Sequence, residues 1–114
     1  MQANVLIVED ESELAELVQL YLEKDGISAT IAGTAEEGLE LLNNRGADLV
    51  VLDINLPGMD GVEVCRRIRA TGSDVPVIML TGHGDMDLAI KSLKYQAIDF
   101  VTKPINDDIL EIAL

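Results

Sequence analysis

Five polar residues that could handle a metal ion or a phosphate follow short apolar segments. They are Glu9, Asp10, Asp53, Thr81 and Lys103. Three carboxylates brought together would repel one another unless a cation binds them. Mg²⁺ fits such a site best, with Mn²⁺ as an alternative, because it takes few carboxylates and keeps water and phosphate oxygens as ligands. A hydroxyl and an ammonium beside the metal would meet the remaining oxygens of a phosphoryl group.

These residues can act together only if the apolar segments are neighbouring strands. The segments are rich in Val, Leu and Ile, too short for buried helices, and span 4–8, 27–32, 49–52, 75–80 and 97–102. Residues with helical spacing follow each of them. This alternation predicts a doubly wound α/β fold, with a parallel sheet and helices on both faces. Ligands bind such sheets outside the carboxyl ends of the strands, and all five polar residues would converge there if the first strand is central.

Helix boundaries are predicted from capping residues. The expected N-caps are Ser12, Thr34, Asp60, Asp85 and Asn106, and Gly26 and Gly46 are expected to end the first two helices. The last helical pattern runs to Leu114 without a terminal Gly or Pro, so we expect a truncated last helix.

Composition restricts the class of protein. The 114 residues predict a single domain over 1–114, and a net charge of −13 argues against direct nucleic-acid binding. The sequence has neither a membrane-length apolar run nor a charged leader, so we expect a cytoplasmic protein that does not bind membranes. The single Cys65 agrees with a reducing compartment and is expected in the core. Arg66, Arg67 and Arg69 are expected to face mostly outward.

The loop after the first strand argues against three other α/β families. A dinucleotide-binding or P-loop protein would carry glycines there to cradle phosphate, and a flavodoxin would carry small hydroxyl residues. This chain has acidic residues instead. A phosphatase of the haloacid dehalogenase type would need a second Asp two residues after Asp53, where Asn55 stands.

The ordered set of motifs resembles the receiver domain of two-component response regulators. The motifs are Val-Glu-Asp-Glu at 8–11, Leu-Asp-Ile-Asn-Leu-Pro-Gly-Met-Asp-Gly at 52–61, Thr-Gly at 81–82 and Lys-Pro at 103–104. The resemblance covers essentially the whole chain. It implies the (βα)5 flavodoxin-like fold, with a five-stranded parallel sheet of order 2-1-3-4-5.

The resemblance also implies a role for each residue of the site. Asp53 would be the phosphoacceptor, and Glu9 and Asp10 would hold Mg²⁺ with Asp53 and the backbone carbonyl of Asn55. Lys103 and Thr81 would each bind a phosphoryl oxygen. Phe100 would be the switch aromatic. Asn55 and His83 would tune the lifetime of the phosphate, and the peptide bond between Lys103 and Pro104 would be cis.

The partners implied by the resemblance are a sensor histidine kinase or a histidine phosphotransfer domain. An output domain, a partner protein or a second copy of the chain would dock on the face made by the fourth helix, fifth strand and fifth helix. The chain would catalyse only its own phosphorylation and dephosphorylation, so it would not be an enzyme that turns over a substrate. Two alternatives stay open at this point: a Mg²⁺-dependent phosphatase with an aspartyl intermediate, and a degenerate receiver that is never phosphorylated. Phe100 could also be a plain core residue and His83 a solvated loop residue.

Overall fold

A computed structural model describes residues 3–81 and 99–102, with Thr81 and the segment 99–102 described by their backbone. The elements in chain order are β1 Asn4–Val8, α1 Ser12–Lys24, β2 Ser28–Ala32, α2 Ala35–Arg45, β3 Leu49–Asp53, α3 Gly61–Ala70, β4 Val77–Thr81 and β5 Asp99–Thr102. The predictions of N-caps at Asp85 and Asn106, of a fourth helix and of a truncated last helix lie outside the described residues. Among the described helices, none is long and apolar enough to cross a membrane.

The five strands form one parallel sheet of order β2-β1-β3-β4-β5, which confirms the predicted fold. β1 lies between β2 and β3, as the convergence of the polar residues requires. The register pairs Val8 of β1 with Leu52 of β3, so Glu9 and Asp53 follow at the same level of the sheet. The carboxyl ends of these two central strands therefore meet at one edge.

Side chains of β1 and β3 alternate between two hydrophobic clusters, one on each face of the sheet. Leu6, Val8, Val50 and Leu52 pack in a cluster with residues of α2 and α3. Val5, Ile7 and Val51 pack in a second cluster with residues of α1. Both faces of these strands are buried, which is why they are continuous apolar runs rather than alternating ones.

Among the described helices, starts and ends follow the predicted caps in all but one case. The Thr34 hydroxyl accepts a hydrogen bond from the Glu37 N–H, and the Asp60 carboxylate accepts one from the Glu63 N–H. Gly26 and Gly46 follow the ends of α1 and α2 with φ of 80° and 70°. These left-handed values favour glycine because a Cβ is crowded there.

The prediction that Ser12 caps α1 is wrong. Ser12 is the first residue of α1, and the N-cap is Glu11, whose side chain makes no capping hydrogen bond. The Glu11 N–H instead donates to the Glu9 carboxylate at 3.1 Å. The backbone before α1 is thus oriented by the acidic loop, and the helix begins one residue earlier than an N-cap at Ser12 would place it.

Strand boundaries differ from the predictions by one or two residues. β2 begins at Ser28 rather than residue 27, and β3 includes Asp53. β4 begins at Val77 because Pro76 has no N–H to donate to the ladder, and it extends to Thr81, which pairs with Thr102. β5 is described from Asp99, so the predicted start of that strand lies outside the described residues.

The arginines of α3 are arranged around one carboxylate. Glu63 accepts hydrogen bonds from Arg66 and Arg67, which are exposed as expected. The hydrogen bond from Arg66, followed by that from Arg67, lowers the pKa of Glu63 to about 2. The third arginine, Arg69, is half-buried and donates to the Val75 carbonyl.

Cys65 is buried as predicted, and burial raises the pKa of its thiol.

Candidate functional site

The site is formed by three carboxylates from two neighbouring strand ends. Glu9 and Asp10 follow β1, and Asp53 is the last residue of β3. One ligand oxygen from each of these side chains lies within 4.8 Å of the other two. The structure therefore brings together three of the residues that the sequence singled out for chemistry.

Two of the three carboxylates are buried in the fold. Glu9 is 1% exposed and Asp53 is 2% exposed, whereas Asp10 is exposed to solvent. Burial removes a carboxylate from water, so it is tolerated only where backbone donors or a cation compensate. The negative charge is thus concentrated where the solvent screens it least, with one carboxylate open to the outside.

Backbone amides of the two loops point towards the buried carboxylates. The Glu9 carboxylate accepts from the Glu11 N–H at 3.1 Å, and the Asp53 carboxylate accepts from the Asn55 N–H at 3.1 Å. The Glu9 N–H itself donates to the Ala32 carbonyl at 3.0 Å. Each carboxylate is thus oriented by the loop that follows it.

The loop after β3 is fixed between β4 and α3. The Ile54 N–H donates to the Leu80 carbonyl at 3.1 Å, and the Ile54 carbonyl accepts from the Gly61 N–H at 2.7 Å. Ile54 and Leu56 are buried, while Asn55 between them is exposed at the mouth of the site. The apolar residues therefore anchor the loop and leave Asn55 beside Asp53. Sequence reasoning missed the part played by Gly61, which it named only as the last residue of the motif at 52–61.

The donor set fits a small, hard divalent cation. It consists of carboxylate oxygens, with no nitrogen or sulfur ligand among the described residues near it. Oxygen ligands of this kind suit Mg²⁺, Mn²⁺ and Ca²⁺ rather than softer metals. The chemistry of these residues thus agrees with the expectation of a Mg²⁺ site.

The other expected site residues are described only in part. Thr81 ends β4 one residue beyond Leu80, the register partner of Asp53, so its backbone lies at the same edge of the sheet. Phe100 lies in β5 opposite Met79. His83, Lys103 and Pro104 lie outside the described residues, so their predicted roles stay predictions.

Comparison with known proteins identifies the family. The sequence model described as "Response regulator receiver domain" matches residues 5–114. The chain belongs to the response regulator receiver domain family. Receiver domains are signalling domains of two-component systems that act with histidine kinases and output domains, and they are not classical enzymes.

The curated relatives are regulatory proteins longer than this chain. The uncharacterized transcriptional regulatory protein YkoG of Bacillus subtilis is 45% identical over 105 residues, which are 92% of this chain and 46% of that protein. The luminescence regulatory protein LuxO of Vibrio campbellii is 37% identical over 108 residues, which are 95% of this chain and 24% of that protein. The receiver domain thus spans from about a quarter to about half the length of these relatives.

Solved structures share the fold closely. A response regulator receiver domain protein from Clostridium thermocellum superposes with a TM-score of 0.91 at 34% identity, over 97% of this chain and 90% of that one. Full-length FixJ from B. japonicum gives 0.92 at 31% identity, over 99% of this chain and 56% of that one. These similarities agree with the sheet order observed here.

Proposed function

We propose that this receiver domain accepts a phosphoryl group on Asp53 from the phosphohistidine of a sensor histidine kinase or a histidine phosphotransfer domain. The observation that carries the proposal is the cluster of Glu9, Asp10 and Asp53, whose ligand oxygens lie within 4.8 Å of one another. Family membership supports the same role, because receiver domains act in two-component systems.

The reaction is a transfer between two nucleophiles. A carboxylate oxygen of Asp53 attacks the phosphorus, and the phosphorus–nitrogen bond of the phosphohistidine breaks. Its electron pair stays on the imidazole nitrogen, which takes up a proton, and Asp53 becomes an acyl phosphate. The hydrogen bond from the Asn55 N–H orients the attacking carboxylate before the donor arrives.

Glu9, Asp10 and Asp53 would hold Mg²⁺, together with the backbone carbonyl of Asn55. Bound Mg²⁺ would neutralise charge on the oxygens of the transferring phosphoryl group. With three carboxylates in the site, transfer of an anionic group without a cation would meet strong repulsion. The proposal therefore includes a requirement for a divalent cation.

Further residues complete the proposed site and its switch. Lys103 would pair with one phosphoryl oxygen, and Thr81 would donate its hydroxyl to another. Movement of Thr81 would turn Phe100 inward and so change the face formed by the fourth helix, β5 and the last helix, where an output domain, a partner protein or a second copy would dock. Asn55 and His83 would tune the lifetime of the acyl phosphate.

Intact mass spectrometry after incubation with acetyl phosphate tests the proposal. We expect one added phosphoryl group in the presence of Mg²⁺ and none with EDTA. Asp53→Asn should abolish the addition, because an amide is not a nucleophile for this transfer. Asp74→Asn is the matched control, since Asp74 is an exposed aspartate outside the carboxylate cluster, and it should be phosphorylated like the parent chain.

Failure of the folded parent chain to gain mass with Mg²⁺ would overturn the proposal. The chain would then be a receiver-like interaction module that works without phosphorylation. Phosphorylation that persists in Asp53→Asn would instead place the acceptor at another residue.

A further inference from the structure

Gly61 lies closer to the backbone of the loop that begins at Asp53 and Ile54, here called the acceptor loop, than any other residue type could. A Cβ built on Gly61 would be 2.7 Å from the Cα of Ile54 and 2.9 Å from the backbone oxygen of Asp53. Cβ atoms in proteins essentially never approach other atoms within 3.0 Å. The requirement for glycine here is one of space, because the backbone of Gly61 is not in the left-handed region.

Both crowded atoms belong to the backbone, which makes the contact hard to relieve. A crowded side chain can rotate to another rotamer, whereas the Asp53–Ile54 backbone is fixed on its other side by the hydrogen bond from the Ile54 N–H to Leu80. The Gly61 N–H also donates to the Ile54 carbonyl at 2.7 Å. The first turn of α3 and the acceptor loop are therefore in direct contact, so we expect a displacement of one to displace the other.

We propose that Gly61 is a positioning residue for the carboxylate site. By letting α3 sit against the backbone at Asp53 and Ile54, it sets the distance from the Asp53 carboxylate to those of Glu9 and Asp10. That distance sets the affinity for Mg²⁺ and the rate at which Asp53 is phosphorylated. The inference rests on the proposed function.

The displacement caused by a methyl group is large for a magnesium site. Relief of the shorter contact from 2.7 Å to 3.0 Å moves the loop or the helix by at least 0.3 Å. Mg²⁺ demands near-ideal octahedral geometry with ligands at about 2.0–2.1 Å, whereas Ca²⁺ accepts about 2.3–2.6 Å and flexible geometry. A shift of this size should therefore weaken Mg²⁺ binding more than Ca²⁺ binding.

Isothermal titration calorimetry tests the proposal. The metal-free parent chain and the metal-free Gly61→Ala variant are each titrated with Mg²⁺ and, separately, with Ca²⁺. Mutation of residues that hold metal ligands in place typically costs about 10–100-fold in affinity, so we expect Mg²⁺ affinity to fall by about tenfold or more. The ratio of Mg²⁺ to Ca²⁺ affinity should fall as well. A purely structural defect would lower the unfolding temperature in EDTA without changing that ratio.

Gly38→Ala is the matched control for crowding itself. A Cβ on Gly38 would also meet an atom at 2.7 Å, but that atom is Cγ2 of the buried Val8 side chain, so the crowding falls on the hydrophobic cluster rather than on the backbone next to Asp53. Both glycines lie in the first turns of their helices. We expect Gly38→Ala to keep the metal affinities of the parent chain.

The outcomes separate this inference from the proposed function. A parent chain that binds no Mg²⁺ overturns the proposed function itself. A parent chain that binds Mg²⁺, with a folded Gly61→Ala that binds it equally well, overturns the positioning role alone. If Gly61→Ala does not fold, the test is the rate of amide hydrogen exchange at Gly61 in the parent chain. Coupling between two sites is reciprocal, so saturating Mg²⁺ should slow this exchange severalfold. An unchanged exchange rate overturns the positioning role.

Discussion

Removing one charge from the carboxylate cluster should stabilise the metal-free protein. The variant Asp53→Asn keeps the shape of the side chain and an oxygen that can accept from the Asn55 N–H. In the parent chain, the ligand oxygens of the three carboxylates lie within 4.8 Å of one another. Two unit charges separated by 4.8 Å repel by about 3.5 kcal/mol at an effective dielectric constant of 20, and by about 0.9 kcal/mol in bulk water.

The exposure of each partner decides between these values. Glu9 is buried beside Asp53, so that pair lies towards the higher value, while Asp10 is exposed and better screened. Counter-ions and local rearrangement relieve part of the repulsion. We expect a net gain of about 1–3 kcal/mol in the free energy of unfolding, which is roughly 4–12 °C in the unfolding temperature for a domain of this size.

Thermal unfolding followed by circular dichroism at neutral pH and low salt measures this effect. In EDTA, Asp53→Asn should unfold at a higher temperature than the parent chain. With saturating Mg²⁺ the difference should shrink, because binding to the folded state stabilises the parent chain more. Asp74→Asn removes the same charge away from the cluster and should stay within about 0.5 kcal/mol of the parent. The reasoning fails if Asp53→Asn gives no gain in EDTA, or if Asp74→Asn gives an equal one.

Three further changes test the packing, the caps and the charges of the helices. Asp60→Ala should lower the free energy of unfolding, measured in urea, by about 1 kcal/mol because α3 loses its cap. Ser12→Ala should leave this free energy nearly unchanged, and equal losses in the two variants would contradict the observed caps. Leu22→Ala, at 1% exposure, should cost roughly 2–5 kcal/mol, and Leu20→Ala, at 62% exposure on the same helix, less than about 0.5 kcal/mol. Two arginines lower the pKa of Glu63 to about 2 from its ordinary value of 4.5. The ion pairs of Glu63 should therefore stabilise the fold fully above pH 4.5 and lose this contribution as the pH falls towards 2. A carboxyl NMR titration of Glu63 with a midpoint near 4.5 would disprove this.

Local chemistry was enough to predict most of the described fold. The runs at 4–8 and 49–52 are strands because β-branched and aliphatic residues buried on both faces leave no polar position. Thr34 and Asp60 act as caps because each needs only a backbone N–H three residues away. The cluster of acids followed from strand-end positions, once strand alternation had predicted a parallel sheet.

The misses arise from contacts that capping preferences alone do not include. Ser12 is a good capping residue, yet the backbone before it is oriented by the Glu9 carboxylate, which accepts from the Glu11 N–H. The demand for glycine at position 61 is equally invisible in the sequence. It arises because α3 folds back onto Ile54, and only the packed structure brings those backbones within contact distance.

The pairing of Val8 with Leu52 has a consequence for how the protein acquires its site. Glu9 and Asp53 are separated by a complete strand, two helices and their loops, so no short stretch of the emerging chain contains the complete cluster. Parallel pairing of this kind forms slowly because a long loop must close first. During synthesis, the carboxylate cluster therefore comes into existence only when β3 has left the ribosome and aligned with β1. Metal capture would then report that the centre of the sheet has folded in the correct register.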